Sequence, residues 1–189
     1  MMMKKILRRI SISAAGFHLA VSFANVSYAI IGGPNDADSK ISISQKDATD
    51  IQKNVLRSIK DIYSGNGVEN AKFSTEVIFR DPVAICEGID EVAEAFRALK
   101  VISPKIMEEP KLFLGRSDKE LYVKIRTSYN CIKPFTVNSM CIIETGEDGN
   151  IISIEELWNF VPLIDNSFFM WSKRLNGLIS YRLTRFLIS

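Results

Sequence analysis

Val77-Ile78-Phe79-Arg80-Asp81-Pro82, followed by Gly88-Ile89 and the run Val92, Ala93, Phe96, Leu99, decides how this chain folds. The order is a short strand, a carboxylate at a proline-stiffened bend, a second strand, a glycine and an amphipathic helix. If Val77 to Asp81 is a strand, Val77, Phe79 and Asp81 share one face and Ile78 and Arg80 the other. Ile78 is apolar too, so either face can point inward. Pro82 fixes its own φ, and an aspartate ahead of a turn readily accepts nearby backbone N–H bonds.

Towards the N-terminus, Ile51, Val55, Leu56, Ile59 and Ile62 recur at helical spacing and predict a helix over 47–63. Ser64-Gly65-Asn66-Gly67 ends it with residues that tolerate left-handed backbone, and Val68 to Ser74 adds a short helical turn. Towards the C-terminus, strands are expected over 111–115, 121–130, 135–144 and 151–158. Gly146-Glu147-Asp148-Gly149 is the hairpin signal between the last two. These elements predict an α+β architecture: a curved, mixed, mostly antiparallel sheet wrapped around N-terminal helices, plus a C-terminal helix. The domain spans 47–163, after a polar linker over 30–46 that holds the breaker cluster Gly32-Gly33-Pro34-Asn35-Asp36.

The first residues carry Lys4, Lys5, Arg8 and Arg9, then run uncharged from Ile10 to Ile30, with Ser27-Tyr28-Ala29 as a small-x-small end. That is the layout of a secretory signal peptide over 1–29, cut after Ala29, and it implies export to the periplasm or medium. An organelle-targeting peptide, also poor in acids, is the alternative, and Arg8-Arg9 allows a twin-arginine signal. Four of the 24 Lys and Arg lie in the leader, leaving 20 against 22 acidic residues, a net charge of −2. This balance provides no electrostatic footprint for nucleic acid. The only histidine, His18, is in the leader, so the mature chain lacks Ser-His, Cys-His and His-metal chemistry. Proton transfer then falls to carboxylates, Tyr, Lys or Cys. Cys86, Cys131 and Cys141 form no CxxC pair; they read as buried thiols, with a Cys131–Cys141 bridge as the alternative. No metal and no cofactor is called for.

Phe79-x-Asp81-Pro82, Gly88-Ile89 with Phe96, the Glu147-Asp148-Gly149 turn and Trp158 at the end of the last strand carry a resemblance. Taken in order, over roughly residues 47–163, the chain resembles the SnoaL-like, nuclear transport factor 2-like cone superfamily. In some members the aspartate before the proline is a general base. The resemblance therefore implies an apolar cone cavity with Asp81 as a base whose pKa desolvation raises. The alternative is that Asp81 only organises the bend.

Related steroid isomerases stabilise an oxyanion with a helix-1 tyrosine and a protonated aspartate on a later strand. The comparable positions here fall near Arg57 or Ser58 and near Met140 or Cys141, and neither donor is present there. The loss of an oxyanion hole argues against steroid-isomerase chemistry. Glu156 shares a strand face with Ile152, Ile154 and Trp158; it either enters the same cavity or turns into water at an edge. Phe79, Phe96 and Trp158 are candidate walls, and Tyr63 and Tyr129 candidate residues of the mouth.

Residues 164–189 form the C-terminal helix; from 166 on they carry Lys173, Arg174, Arg182 and Arg185 and no acid among many apolar residues, with Gly177 as an interruption. Such a helix lies on an anionic membrane, or packs on its own domain or a dimer mate with its basic groups snorkelling to water. The leading functional reading is an exported module that binds a small apolar molecule. A cofactor-independent isomerase, dehydratase or cyclase, with Asp81 as base and Glu156 or a tyrosine assisting, is the second. A membrane-surface adaptor with a filled pocket is the third. Homodimerisation is common in the superfamily and undecided by these residues.

Overall fold

The computed structural model describes residues 42–43, 47–66, 68, 71–100, 103–130, 134–164 and 167–188. The expected leader, most of the linker and Cys131 lie outside the described residues. The elements are β1 (Ser42–Ile43), α1 (Asp50–Tyr63), β2 (Phe73–Arg80), β3 (Ile85–Glu87), α2 (Ile89–Leu99), β4 (Pro104–Ile106), β5 (Lys111–Leu114), β6 (Glu120–Tyr129), β7 (Phe135–Thr145), β8 (Ile151–Trp158) and α3 (Ser167–Ile188).

Helix α1 starts at a reciprocal cap. The Gln52 N–H donates to the Thr49 hydroxyl over 3.3 Å, and the Thr49 N–H donates to Gln52 Oε1 over 2.9 Å. Val55, Leu56, Ile59, Ile62 and Tyr63 form its buried stripe, whereas Ile51 stays outside, 45% exposed. Gly65, at φ +75°, takes the chain out of the helix. The short helical turn expected over 68–74 includes residues 69 and 70, which lie outside the described residues; its last two residues, Phe73 and Ser74, belong to β2. Strand β2 begins at Phe73, because the chain pairs in parallel with β8 from Phe73 opposite Ile151 onward.

The sheet order is β1-β5-β6-β7-β8-β2-β3, with β4 paired to β6. Among the described residues only β2 and β8 run parallel. The architecture is the mixed, mostly antiparallel α+β sheet expected. Two short strands were not foreseen: Ser42–Ile43 pairs with β5 inside the stretch read as linker, and Pro104–Ile106 pairs with β6. Both are too short to show a period, so only their partners define them.

Leu121, Val123, Ile125, Thr127 and Tyr129 face the helices from β6, and Val137, Ser139, Cys141, Ile143 and Thr145 do so from β7. Of these, Leu121, Val123, Ile125, Cys141 and Ile143 join Val92 and Phe96 of α2 in the main core. Each fully buried aliphatic or aromatic side chain there contributes roughly 1.5–3 kcal/mol. Tyr122, on the alternate face of β6, is buried in a second cluster with Phe113 and Met140 on the opposite side of the sheet. On β8 a bulge opposite Glu144/Thr145 resets the alternation. Ile151 is buried, Ile152 is 39% exposed, and Ile154 and Glu156 face inward.

Helix α3 runs without a break from 167 to 188 and packs on β3 and α2. It starts three residues later than the sequence implies, and Gly177 does not interrupt it. A Cβ at Gly177 would lie 2.0 Å from the Ile85 carbonyl oxygen, so the glycine permits close approach of helix and strand. Arg174 is held by Glu91, with NH1 to Oε2 at 2.6 Å and NH2 to Oε1 at 2.9 Å, and by Glu87 through Nε at 3.1 Å. Phe168, Trp171 and Ile179 remain on its exposed side. Among the described residues, no helix is long and apolar enough to cross a membrane.

Candidate functional site

The β2–β3 hairpin places Asp81. Phe79 pairs with Cys86 and Arg80 with Ile85, so residues 81–84 must close a tight turn. Asp81 N–H donates to Ala84 O at 3.0 Å, while the Val83 and Ala84 N–H groups donate to Asp81 Oδ1 at 2.7 and 2.5 Å. Asp81 therefore does organise the bend. The same side chain also lines a cavity.

That cavity has a volume of about 220 Å³ and lies between α1, α2, the sheet and α3. All seven residues singled out in the sequence line it: Tyr63, Phe79, Asp81, Phe96, Tyr129, Glu156 and Trp158. Phe79 and Phe96 meet edge to face at 4.8 Å without filling it. Tyr63, expected at the mouth, is 1% exposed and sits inside. Tyr129 is buried as well and stacks on Phe135 at 5.1 Å.

Glu156 is 3% exposed rather than an edge residue in water. Its place follows from register: Cys141 pairs with Glu156 and Ser139 with Trp158, so all four share the inner face. The Tyr63 hydroxyl donates to Glu156 Oε2 at 2.6 Å, and the Ser139 hydroxyl donates to Oε1 at 2.5 Å. The oxyanion donors sought near 57–58 and 140–141 are absent there. Tyr63, one helical turn and more beyond Arg57, meets a carboxyl from the neighbouring strand instead.

Burial raises both carboxyls. Asp81 is pushed up to about 6 by desolvation, against the Val83 and Ala84 N–H bonds and the positive charge of Lys173. Glu156 is pushed up to about 7 by desolvation and by the Asp81 charge, against the hydrogen bonds from Ser139 and Tyr63. The Trp158 indole N–H favours the ionised form too, although it makes no hydrogen bond of good geometry among the described residues. Near neutral pH the pair carries about one proton, held preferentially by Glu156. Desolvation pushes the Cys86 thiol up to about 12 and raises Cys141 as well, so neither is a thiolate nucleophile. Cys86 and Cys141 are free, buried thiols; the alternative bridge involves Cys131, which lies outside the described residues. Among the described residues, no three His, Cys, Asp or Glu cluster as metal ligands.

Two contributors escaped the sequence reading. Ser139 is an ordinary strand serine until register sets it beside Glu156. Lys173, expected to snorkel, is 1% exposed. The signal for it was its place at helical spacing with Asn176, Gly177 and Ser180, a small and polar stripe on a helix otherwise broadly apolar.

No protein-family model matches the sequence, and no curated protein matches it. Solved structures do. An epoxide hydrolase/cyclase-like enzyme, SalBIII, with a role in pyran ring formation in the polyether salinomycin, superposes with a TM-score of 0.50 at 19% identity. The match covers 57% of this chain and 89% of that one. An NTF2-like protein of unknown function from Cytophaga hutchinsonii gives a TM-score of 0.46 at 14% identity, covering 60% and 94%. A steroid delta-isomerase from Pseudomonas aeruginosa gives 0.45 at 12%, covering 75% and 97%. At these identities the likeness is one of fold. The chain folds as a nuclear transport factor 2-like, SnoaL-like α+β cone.

Proposed function

We propose that this chain binds a small, largely apolar molecule in its cone cavity. The observation that carries the reading is an unfilled, aromatic-walled cavity that reaches two buried carboxyls. Its volume of about 220 Å³ is below the roughly 300–1,000 Å³ of drug-sized pockets. The ligand is a compact molecule or one end of a longer one. A filled-core adaptor would leave no such space.

The test uses native mass spectrometry of the purified protein to find a retained ligand, together with 2-naphthol as a neutral fluorescent probe. Binding of 2-naphthol that is lost in Ala98→Trp, which fills the cavity from α2, supports the reading. No retained ligand and no difference between the two proteins would reject it.

A second reading is favoured by the carboxyl pair: cofactor-independent isomerisation, dehydration or cyclisation. Asp81 as carboxylate takes a proton from the substrate, and protonated Glu156 gives one to the oxygen that gains negative charge. The solved neighbour SalBIII is an epoxide hydrolase/cyclase-like enzyme with a role in pyran ring formation. Once a substrate is in hand, turnover that survives Asp81→Asn rejects this reading. Export by residues 1–29 belongs to the same proposal, and N-terminal sequencing of the secreted protein should find Ile30 first.

A further inference from the structure

We propose that Lys173 is a positioning residue for Asp81, so that the C-terminal helix is a working wall of the cavity rather than an appendage. The inference rests on the cavity reading above and names what controls its charge.

Lys173, Asn176, Gly177 and Ser180 fall at i, i+3, i+4 and i+7, one stripe of α3. Three members of the stripe touch the site. Asn176 Nδ2 donates to Val83 O at 2.8 Å, two residues after Asp81. Gly177 lies against Ile85 O, where the bend rejoins β3. Ser180 lines the cavity itself. Lys173 is the fourth member, and its side chain is among the largest fully buried ones in the protein. An ammonium taken out of water costs several kcal/mol unless negative charge accompanies it. The stripe lies against the bend through Asn176 and Gly177, and Asp81 at that bend feels the Lys173 charge.

Burial explains why a cation is needed, because desolvation opposes the Asp81 carboxylate. Glu156 from β8 shares the site, and Cys86 from β3 and Tyr129 from β6 stand beside it as neutral groups near pH 7. Arg174, the nearest other cation of the helix, is already held by Glu87 and Glu91. Only the Val83 and Ala84 N–H groups and Lys173 favour the Asp81 carboxylate among the described residues. Without the ammonium, Asp81 would hold its proton to higher pH. With it, Asp81 is the member of the pair that gives up its proton first.

The experiment is a carbon-13 NMR titration of the Asp81 and Glu156 side-chain carboxyls in the full chain and in Lys173→Met and Lys173→Arg. Lys173→Met should raise the Asp81 midpoint by about one pH unit, and Lys173→Arg should restore most of it. An unchanged midpoint in folded Lys173→Met overturns the proposal, as does an equal shift in both variants, which would mark a packing effect. If the methionine variant does not fold, Lys173→Gln, which keeps length and polarity, gives the same comparison. Loss of 2-naphthol binding by the unaltered protein would reject the cavity reading while leaving this electrostatic role standing, so the two fail separately.

Discussion

The Tyr63 hydroxyl donates to Glu156 Oε2 across 2.6 Å, tying the last residue of α1 to the inner face of β8. The partners are 93 residues apart. The bond joins the two layers of the cone at the point where a polar group is otherwise hardest to keep. It also sets the chemistry, because a donor on Oε2 favours the ionised carboxylate that burial opposes.

Tyr63→Phe removes that donor. A hydrogen bond to a charged partner contributes roughly 1.5–3 kcal/mol and one to a neutral partner less. The variant should therefore lose about 2 kcal/mol in urea unfolding at pH 8, where Glu156 is ionised. At pH 5 the loss should be smaller. Equal losses at both pH values would show that the bond does not depend on the charge.

Glu156 also predicts how the whole protein responds to pH. Its folded pKa of about 7 lies above the ordinary 4.5, so the folded state keeps a proton that the unfolded state has released. The protein is then most stable below about pH 4.5 with respect to this group, and loses stability as pH rises through 7. At about 1.4 kcal/mol per unit the loss is on the order of 3 kcal/mol. Asp81 acts in the same direction over the lower window, from 3.8 to about 6. Glu156→Gln should be more stable than the parent protein at pH 8 and close to it at pH 5, as read by chemical denaturation. A parallel pH profile for the two proteins would contradict this.

Gly177→Ala should dislodge α3. Alanine is the better helix former by about 1 kcal/mol. Against that, its Cβ would sit 2.0 Å from Ile85 O, a backbone atom that cannot step aside. Forced overpacking costs about 1–3 kcal/mol. A lower melting temperature and faster protease cleavage within 167–188 are expected. A rise in melting temperature would mean that the helix does not seat here.

Arg174 and Glu91 should couple. Burial works against the Glu91 charge, but the hydrogen bonds from Arg174 and from the Glu87 N–H outweigh it and hold its pKa below 4.5. A double-mutant cycle with Arg174→Met and Glu91→Gln should give about 1 kcal/mol of coupling, more than a monodentate surface pair. This stabilisation is present above the ordinary carboxylate pKa and is lost as pH falls below it. Coupling that persists unchanged at pH 3 would argue for packing rather than charge.

The elements with a sustained period were legible in advance. Helix α1 and strands β6, β7 and β8 repeat their apolar residues over eight or more positions, and each appears close to its expected bounds. Ser42–Ile43 and Pro104–Ile106 were not legible, because a strand of two or three residues has no period and exists through its partner. The environment of Glu156 was open for a related reason. Ile152 and Glu156 look equivalent in a strict alternation, and only the bulge opposite Glu144/Thr145 separates an exposed isoleucine from a buried carboxyl.

From the residues alone one could conclude that the chain makes an α+β fold (the cone itself was implied by the resemblance), that Asp81 stands at a turn before a proline, and that no histidine takes part after residue 18. These follow from local sterics, periodicity and composition, which need no knowledge of distant contacts. The cavity, the Tyr63–Glu156 bond and the burial of Lys173 came only with the tertiary structure. Each depends on register across the sheet or on a helix docking over a glycine, and those are decided by packing between segments roughly a hundred residues apart.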